Sequence, residues 1–396
     1  MTERSVRVLT LNSGSSSLKA AVYDIGQVET RVLSMTAIRI GLLGSRVRFA
    51  GADGGVLLDG EQSLPNHARA LQLLLGWLEQ ERPSLRLDVV GHRVVHGGGR
   101  HWDPELVTPD LLASLEVFVP VDPDHMPHAL DGIRAVGSAY PGVRQVACFD
   151  TGFHRELLPV ARRYAVPDDL GGKGIMRYGF HGLSYEYVMQ ALQQLEGDAA
   201  HGRVVVAHLG NGASMAAISD GRSLDTTMGF SPTGGLMMGT RCGDLDPSVP
   251  LYLIRQLGMS PDAVGALINH QSGLLGVSGR SEDMGDLLAQ EASDHRAAAA
   301  VALFCYQAKK ALGACAATLG GVDVLVFTGG IGEHAPPVRE RIAAGLEFLG
   351  IELDLERNWR NEPVISTGES RVLVRVIQTN EELMVARHAS RLAAGG

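Results

Sequence analysis

At 396 residues the chain is longer than one small domain usually is, so two domains are expected. Hydrophobic residues at 45% and charged residues at 20% exclude extended disorder and leave apolar material for a sizeable core. With 35 basic against 44 acidic side chains, a net charge of −9, bulk charge will not hold nucleic acid or an anionic membrane; an anionic ligand needs a local positive cluster.

In chain order, residues 6–12 read as a strand, Ser13-Gly14-Ser15-Ser16-Ser17 as a tight turn and 18–25 as a second strand. Short apolar runs at 89–95 and 145–149 read as buried strands, with a helical pattern at 111–118. A further helix is expected at 185–195. The first pattern then returns: 203–209 as a strand, Gly210-Asn211-Gly212 as a turn, 213–219 as a strand and 222–224 as a third. A long helix is expected to 319, capped by Asp294 and ended by Gly320-Gly321, with a strand at 322–327, a helix at 338–349 and a last strand at 372–377. Alternating strands and helices argue for α/β layers. The segments TLNSGSSSLKAAVYD and AHLGNGASMAAISDG look like two copies of one device, although strand–glycine turn–strand is also common by itself.

The longest apolar run, 297–306, is far short of a membrane span, and Met1-Thr2-Glu3-Arg4-Ser5 has no apolar leader, so a cytoplasmic location is expected. Cys148, Cys242, Cys305 and Cys315 form no CxxC pair and read as reduced thiols.

Several strands end in polar or glycine-rich residues, where α/β folds bind ligands: Asn12, His96-Gly97-Gly98-Gly99, Asp150-Thr151-Gly152, Thr328-Gly329-Gly330 and Thr379-Asn380-Glu381. Together they favour a phosphate and metal site over ordinary turn chemistry. The usual nucleotide signatures are missing, since Gly172-Lys173 is followed by Gly174 and His92-Arg93-Val94 lacks a kinase aspartate. His92 and His96 share the spacing of zinc ligands, but on a strand that spacing does not converge. His181 and Arg241 each sit among glycines, which either lets a ligand approach or marks an ordinary loop.

The segments LNSGSSSLK (11–19), GHRVVHGG (91–98), FDTGFH (149–154), RYGFHG (177–182), HLGNGAS (208–214), DTTMGFSPTGGLMMGTRCGDLDP (225–247), SGLLGVSG (272–279), VFTGGIGEH (326–334) and TNEE (379–382) carry a resemblance. In family order and over essentially the whole chain, they are similar to the acetokinase (acetate kinase) family of the acetate and sugar kinase–heat-shock chaperone–actin superfamily. The resemblance implies an α/β fold of two duplicated ribonuclease-H-like domains with the active site in the interdomain cleft. The first would span 1–150 with 384–396, and the second, nucleotide-binding domain 151–383. It implies a homodimer and direct in-line transfer, ATP + acetate ⇌ ADP + acetyl phosphate, with Mg²⁺ or alternatively Mn²⁺. Propionate is the alternative acceptor.

Carried over by position, Asn12 and Glu381 match metal-site residues, and Asp150, Arg93, His181 and Arg241 match catalytic ones. Lys19, His208, Leu209, Gly210, Asn211, Gly212, Asp283, Met284, Gly285, Gly330, Ile331, Gly332, Glu333 and His334 match nucleotide-contacting positions. Arg93, Val95, Phe180 and Pro232 match the acyl pocket. The chemistry agrees: a carboxylate acceptor needs no base, but two mutually repelling anions need fixed guanidinium groups, and Mg²⁺ prefers oxygen ligands.

Two stretches depart from the family pattern. His125 aligns with its phosphate-facing histidine only if three extra residues precede it, so the apolar neighbour becomes Val121 or Asp124. Asp122-Pro123-Asp124 is read as a solvated bulge that leaves Val121 as the pocket wall. Gly285 stands where the family commonly has an arginine near the base, so loose base recognition is expected. A nucleotide-driven binding machine is the rival class; the pair Arg93 and Arg241 favours the enzyme.

Overall fold

The computed structural model describes residues 5–14 and 16–395; the readings that involve Met1–Arg4, Ser15 and Gly396 lie outside the described residues. The chain forms two compact units, one of residues up to 152 together with those from 380 onward, the other of 153–379. Residues 380–383 therefore belong with the first unit, not with the second as expected from sequence.

The first unit is built on a mixed eight-stranded sheet. Strands β1 (Val6–Ser13), β2 (Ser17–Ile25), β3 (Thr30–Ile38), β4 (Arg46–Gly51) and β5 (Val56–Glu61) run antiparallel in succession. β6 (Val89–Val94) then joins β1 in parallel; β7 (Glu105–Leu106) is a short edge strand, and β8 (Arg144–Phe149) lies parallel to β6. The order is β5-β4-β3-β2-β1-β6-β8-β7. The central strands are apolar on both sides because helices cover both faces. Helices His67–Glu81 and Met126–Ala139 lie on the face of Leu9, Leu11 and Val90. The C-terminal helix Glu381–Ala394 packs on β1, β6 and β8. Gly91 lets it close in, since a Cβ there would meet Val385 Cγ1 at 2.5 Å.

The second unit repeats the scheme. β9 (Arg203–Leu209), β10 (Ala213–Ser219) and β11 (Arg222–Thr226) are antiparallel, and β12 (Val324–Thr328) and β13 (Leu373–Val376) are added in parallel. Its order, β11-β10-β9-β12-β13, matches β3-β2-β1-β6-β8 in both sequence and direction. The likeness of the two hairpins is therefore a likeness of whole ribonuclease-H-like sheets. Helix Gly182–Glu196 shares a core with Val204, Val206 and Ala216, and the 25-residue helix His295–Leu319 packs against β9 and β10. Asp294 caps that helix by accepting from Arg296 N at 2.9 Å, and Gly320 ends it at φ 69°. The helix expected at 338–349 is instead Pro336–Ala343, because Gly345 turns left-handed at φ 77° before a short 3₁₀ turn, Glu347–Leu349.

Among the described residues no helix is long and apolar enough to cross a membrane. No two of the four cysteines are joined, and burial pushes the thiols of Cys305 and Cys315 up to about 11 and about 12.

Candidate functional site

In the first unit β1, β6 and β8 are parallel neighbours, so their C-terminal ends bring Asn12, Arg93 and Asp150 to one edge of the sheet. Asn380 caps the last helix by accepting from Leu383 N at 3.0 Å, which sets Glu381 in its first turn at the same edge. Arg93 joins the four. Its Nε and Nη2 donate to the two oxygens of Asp150 at 3.0 and 2.5 Å, and its Nη1 donates to Asn12 Oδ1 at 3.0 Å. Nη1 also lies 3.4 Å from Glu381 Oε2, to which Asn12 Nδ2 donates at 3.3 Å.

Burial opposes the guanidinium charge, but the facing carboxylates of Asp150 and Glu381, with a smaller contribution from Glu382, outweigh it and hold the Arg93 pKa above its ordinary value. Burial lifts the Glu382 carboxyl above its usual range, against the opposing pull of Lys19. Lys19 is exposed and pairs in register with Asn12 across the hairpin.

Asn12, Asp150 and Glu381 offer an amide oxygen and two carboxylates, a hard-oxygen set that suits Mg²⁺. Among the described residues no group of three or more histidine, cysteine, aspartate or glutamate side chains is placed to hold a metal alone. That also suits an ion that keeps waters and binds through substrate phosphates. Val95, just past β6, is buried.

The stretch before His125 differs from the expected solvated bulge. Asp122 is 3% exposed, and its Oδ1 accepts from His125 Nδ1 at 2.8 Å. Burial is possible because the carboxylate meets the imidazole instead of water. Pro123 is exposed, whereas Val121 and Asp124 are half-buried.

In the second unit, the turn between β9 and β10 is ringed by the other predicted residues. His181 stands before helix Gly182–Glu196 at φ 58°, with Nδ1 2.8 Å from Ser214 Oγ. The Tyr185 hydroxyl lies 2.5 Å from the same Ser214 oxygen. His181 stacks on His208 with ring centroids 4.2 Å apart, and His208 Nδ1 meets Ser184 Oγ at 2.8 Å. Ser184 in turn bonds Thr379 Oγ1. Gly212 shows how close the groups come: a Cβ there would lie 3.0 Å from His181 Nε2 and 3.6 Å from Arg241 Nη2. Arg241 Nη1 donates to Pro232 O at 2.8 Å. Phe180 and Pro232 are buried, and the Phe180 carbonyl bonds His154 Nε2.

The turn itself is held by Gly239 N donating to Asn211 O, and a Cβ on Gly239 would collide with Asn211 Oδ1 at 1.7 Å. Leu209 is buried and Gly210 N bonds Gly212 O. Beyond β12, the short helix Gly329–His334 carries Gly330, Ile331, Gly332, Glu333 and His334. The Glu333 carboxylate is turned inward, accepting from Gly329 N at 2.9 Å and Thr379 N at 3.1 Å, so its side chain serves the fold. His334 is exposed. Asp283 caps helix Met284–Gln290 by accepting from Asp286 N at 2.9 Å; Met284 is buried and Gly285 lies in the first turn.

Ser214 and Ser184 hold the two histidines and Tyr185 backs Ser214, but none of the three was singled out from sequence; of these only Ser214 lies inside a quoted motif, and Thr379, read from sequence only as a strand exit, backs Ser184. Fully buried Arg339 was also missed. It donates to Gly332 O and Glu333 O, and to Asn358 and Asn361, tying the Gly329–His334 helix to the chain beyond it.

The acetokinase family model matches residues 7–387. An acetate kinase of Rhodopseudomonas palustris (strain TIE-1) is 47% identical over 397 residues, covering 98% of this chain and 99% of the relative. An acetate kinase of Coprothermobacter proteolyticus is 43% identical over 98% of this chain and its own full length. Among solved structures, the Porphyromonas gingivalis acetate kinase matches with a TM-score of 0.86 at 38% identity, covering 98% of this chain and 99% of its own. A propionate kinase from Francisella tularensis matches with a TM-score of 0.90 at 35% identity and the same coverage. On the family match and these near-full-length likenesses, the chain belongs to the acetokinase family.

Proposed function

We propose that the chain transfers a phosphoryl group directly and reversibly between ATP and acetate, giving ADP and acetyl phosphate. The observation that carries the reading is Arg93, a buried, permanently charged fork among Asp150, Asn12 and Glu381 at the ends of three parallel strands. A carboxylate acceptor is already a nucleophile, so what these side chains must do is neutralise and align anions. Arg93 and Arg241 supply fixed guanidinium charge to the equatorial oxygens and the acyl carboxylate. His181, held through Nδ1 by Ser214, offers Nε2 to the same group. Asp150 holds Arg93 in orientation. Asn12 and Glu381 would hold Mg²⁺, with Asp150 acting through water; the ion would neutralise charge on the nucleotide phosphates.

The nucleotide would lie along His208–Gly212, Gly330–His334 and the Asp283–Gly285 turn, chiefly on backbone groups; Lys19 is a further proposed nucleotide contact. Val95, Phe180 and Pro232 would surround the acyl methyl group. Propionate as acceptor is the second reading, favoured by the likeness to the Francisella propionate kinase. A homodimer is part of the proposal, supported by exposed Leu251, Tyr252 and Leu257 on and beside helix Ser248–Arg255. The test is phosphorylation of acetate, propionate and butyrate with ATP and Mg²⁺, the acyl phosphate being trapped with hydroxylamine. Absence of hydroxamate with every acid would refute the reading.

A further inference from the structure

The aspartate in the stretch that departs from the family pattern is built into the molecule. Asp122 is 97% buried, with Oδ1 on His125 Nδ1 and Oδ2 without a hydrogen-bond partner among the described residues. A buried carboxylate is costly unless it is matched, and His125 is the match found here. A carboxylate only accepts, so the proton of this bond is on Nδ1 and Nε2 is the edge left for a ligand.

The groups around the pair are also defined. His125 lies just ahead of helix Met126–Ala139, near His128 of that helix and His67 of helix His67–Glu81, whose rings stack at 3.9 Å. Asp124 and Asp131 are the other charged side chains acting on His128. His67 and His128 line a cavity of about 20 Å³ together with Arg93 and His92, so this cluster borders the Arg93 site within the same unit. His67 Nε2 meets the carbonyls of Gly14 and Ser17 at 2.8 and 3.3 Å, so its outer edge serves the β1–β2 turn.

We infer that Asp122 is a positioning residue for His125: it fixes the ring with Nδ1–H toward the carboxylate, so that Nε2 can donate to an anionic oxygen only when the imidazole is doubly protonated. In that form the imidazolium and carboxylate cancel, and the pair presents a proton without net charge. When the ring loses its proton from Nε2, a lone pair faces the anion instead. The inference rests on the reading of His125 as a group that faces the phosphoryl oxygens. It gives the departing stretch a task, which is to supply a carboxylate partner to that histidine.

Two measurements test it. In ¹⁵N-histidine-labelled wild-type protein, with His125 assigned by its absence from His125→Gln, long-range ¹H–¹⁵N spectra should show the neutral ring protonated on Nδ1. A neutral ring protonated on Nε2 overturns the inference. The second is the KM for acetyl phosphate across roughly pH 5 to 8, the range in which histidines change charge. It should rise about tenfold in the wild type, the worth of one charge-assisted hydrogen bond, with a much smaller change in kcat. In Asp122→Asn the amide can donate to Nδ1, which leaves a neutral ring with its proton on Nε2. The pH dependence of KM should then flatten to about threefold or less. An unchanged pH profile in Asp122→Asn overturns the inference even if kcat falls. The spectra need no turnover, so failure of the kinase reading and failure of the Asp122 pairing are separable.

Discussion

Arg93 and Asp150 share two hydrogen bonds in a pair whose carboxylate is only 1% exposed. Removing Arg93 leaves the Asp150 carboxylate buried without its partner, a loss that typically costs about 3–5 kcal/mol, whereas Arg93 without Asp150 keeps Glu381 at 3.4 Å and should cost less. Arg93→Ala and Asp150→Ala should therefore each lower stability, and Arg93→Ala should also reduce turnover by ~10²–10³. The double variant should regain part of the stability and none of the turnover. Denaturant unfolding and hydroxamate assays on all four proteins give the cycle. A double variant whose losses simply add would mean that the pair is not coupled.

Glu381 opens a helix and also lies within reach of Arg93 and Asn12. If it only complemented the helix dipole, it would be worth ~0.3–1 kcal/mol and would leave metal dependence alone. In the proposed reading Glu381→Gln raises the Mg²⁺ concentration for half-maximal activity about tenfold or more, because a charged ligand becomes a neutral one. A magnesium titration at saturating ATP decides between the two, and an unmoved midpoint removes Glu381 from the metal site.

The strands that bear the site were legible because they are short, β-branched runs with a polar residue at the exit, as in β1, β6, β9 and β12. β3 to β5 were not, since they extend the sheet beyond its double cover and β5 has no buried residue to set an apolar rhythm. The helix Met126–Ala139 was hidden by the prolines and aspartates just ahead of it, which read as loop. The same bias toward solvent for Asp122 produced the expected bulge, because burial of a carboxylate depends on a partner whose position sequence does not show. Arg339 was illegible for a related reason: its five acceptors come from segments up to 22 residues away, and three of them are backbone carbonyls.

Two buried histidines tie stability to pH, one in each unit. Burial pushes the pKa of His92 down to about 4, against its bond to Gln145, and that of His154 down to about 4, against its bond to the Phe180 carbonyl. Both folded values lie below that of an unfolded histidine, so between them the unfolded chain binds more protons. Stability from these groups is fully present above about pH 6.5 and is lost as pH falls toward 4, by up to about 3 kcal/mol each. Urea unfolding of the wild type should therefore show a falling midpoint from roughly pH 7 to pH 5. His154→Gln should lower the midpoint at neutral pH but shallow its slope with pH. An equal slope in that variant would exclude His154 as a source.

Among the described residues Arg339 has no carboxylate partner; burial lowers its pKa to about 10, yet all five of its N–H groups meet oxygen acceptors. Replacing it strands those acceptors around the Gly329–His334 helix. Arg339→Met is expected to lose roughly 3–5 kcal/mol of stability, since buried acceptors left unpaired cost about 1–3 kcal/mol each and some will be hydrated. Because the helix beside it carries proposed nucleotide contacts, the KM for ATP should rise more than that for acetate. Equal effects on both would reduce Arg339 to a general stabiliser. Arg339→Lys should rescue little, since an ammonium has three donors and no fork.

The acyl pocket gives the last prediction. In the proposed reading Val121, and not Asp124, is the apolar neighbour of the histidine, a place the family resemblance gives to leucine; it is half-buried, whereas Asp122 beside it turns inward to His125. Asp124, the other candidate for that place, is half-buried, and its carboxylate against an acyl anion would disfavour binding. Valine is one methylene shorter than leucine, and one methylene in an apolar site is worth about 1–3 kcal/mol. The specificity constants for acetate and propionate should then agree within ~10-fold, with butyrate clearly poorer. Val121→Leu should restore the missing bulk and lower the propionate constant by ~10-fold while changing the acetate constant by less than about threefold. Competition between the two acids in one reaction, read by separation of their hydroxamates, measures the ratio directly. If Val121→Leu left that ratio unchanged, the wall of the pocket would lie elsewhere, with Val95, Phe180 and Pro232 as the buried candidates.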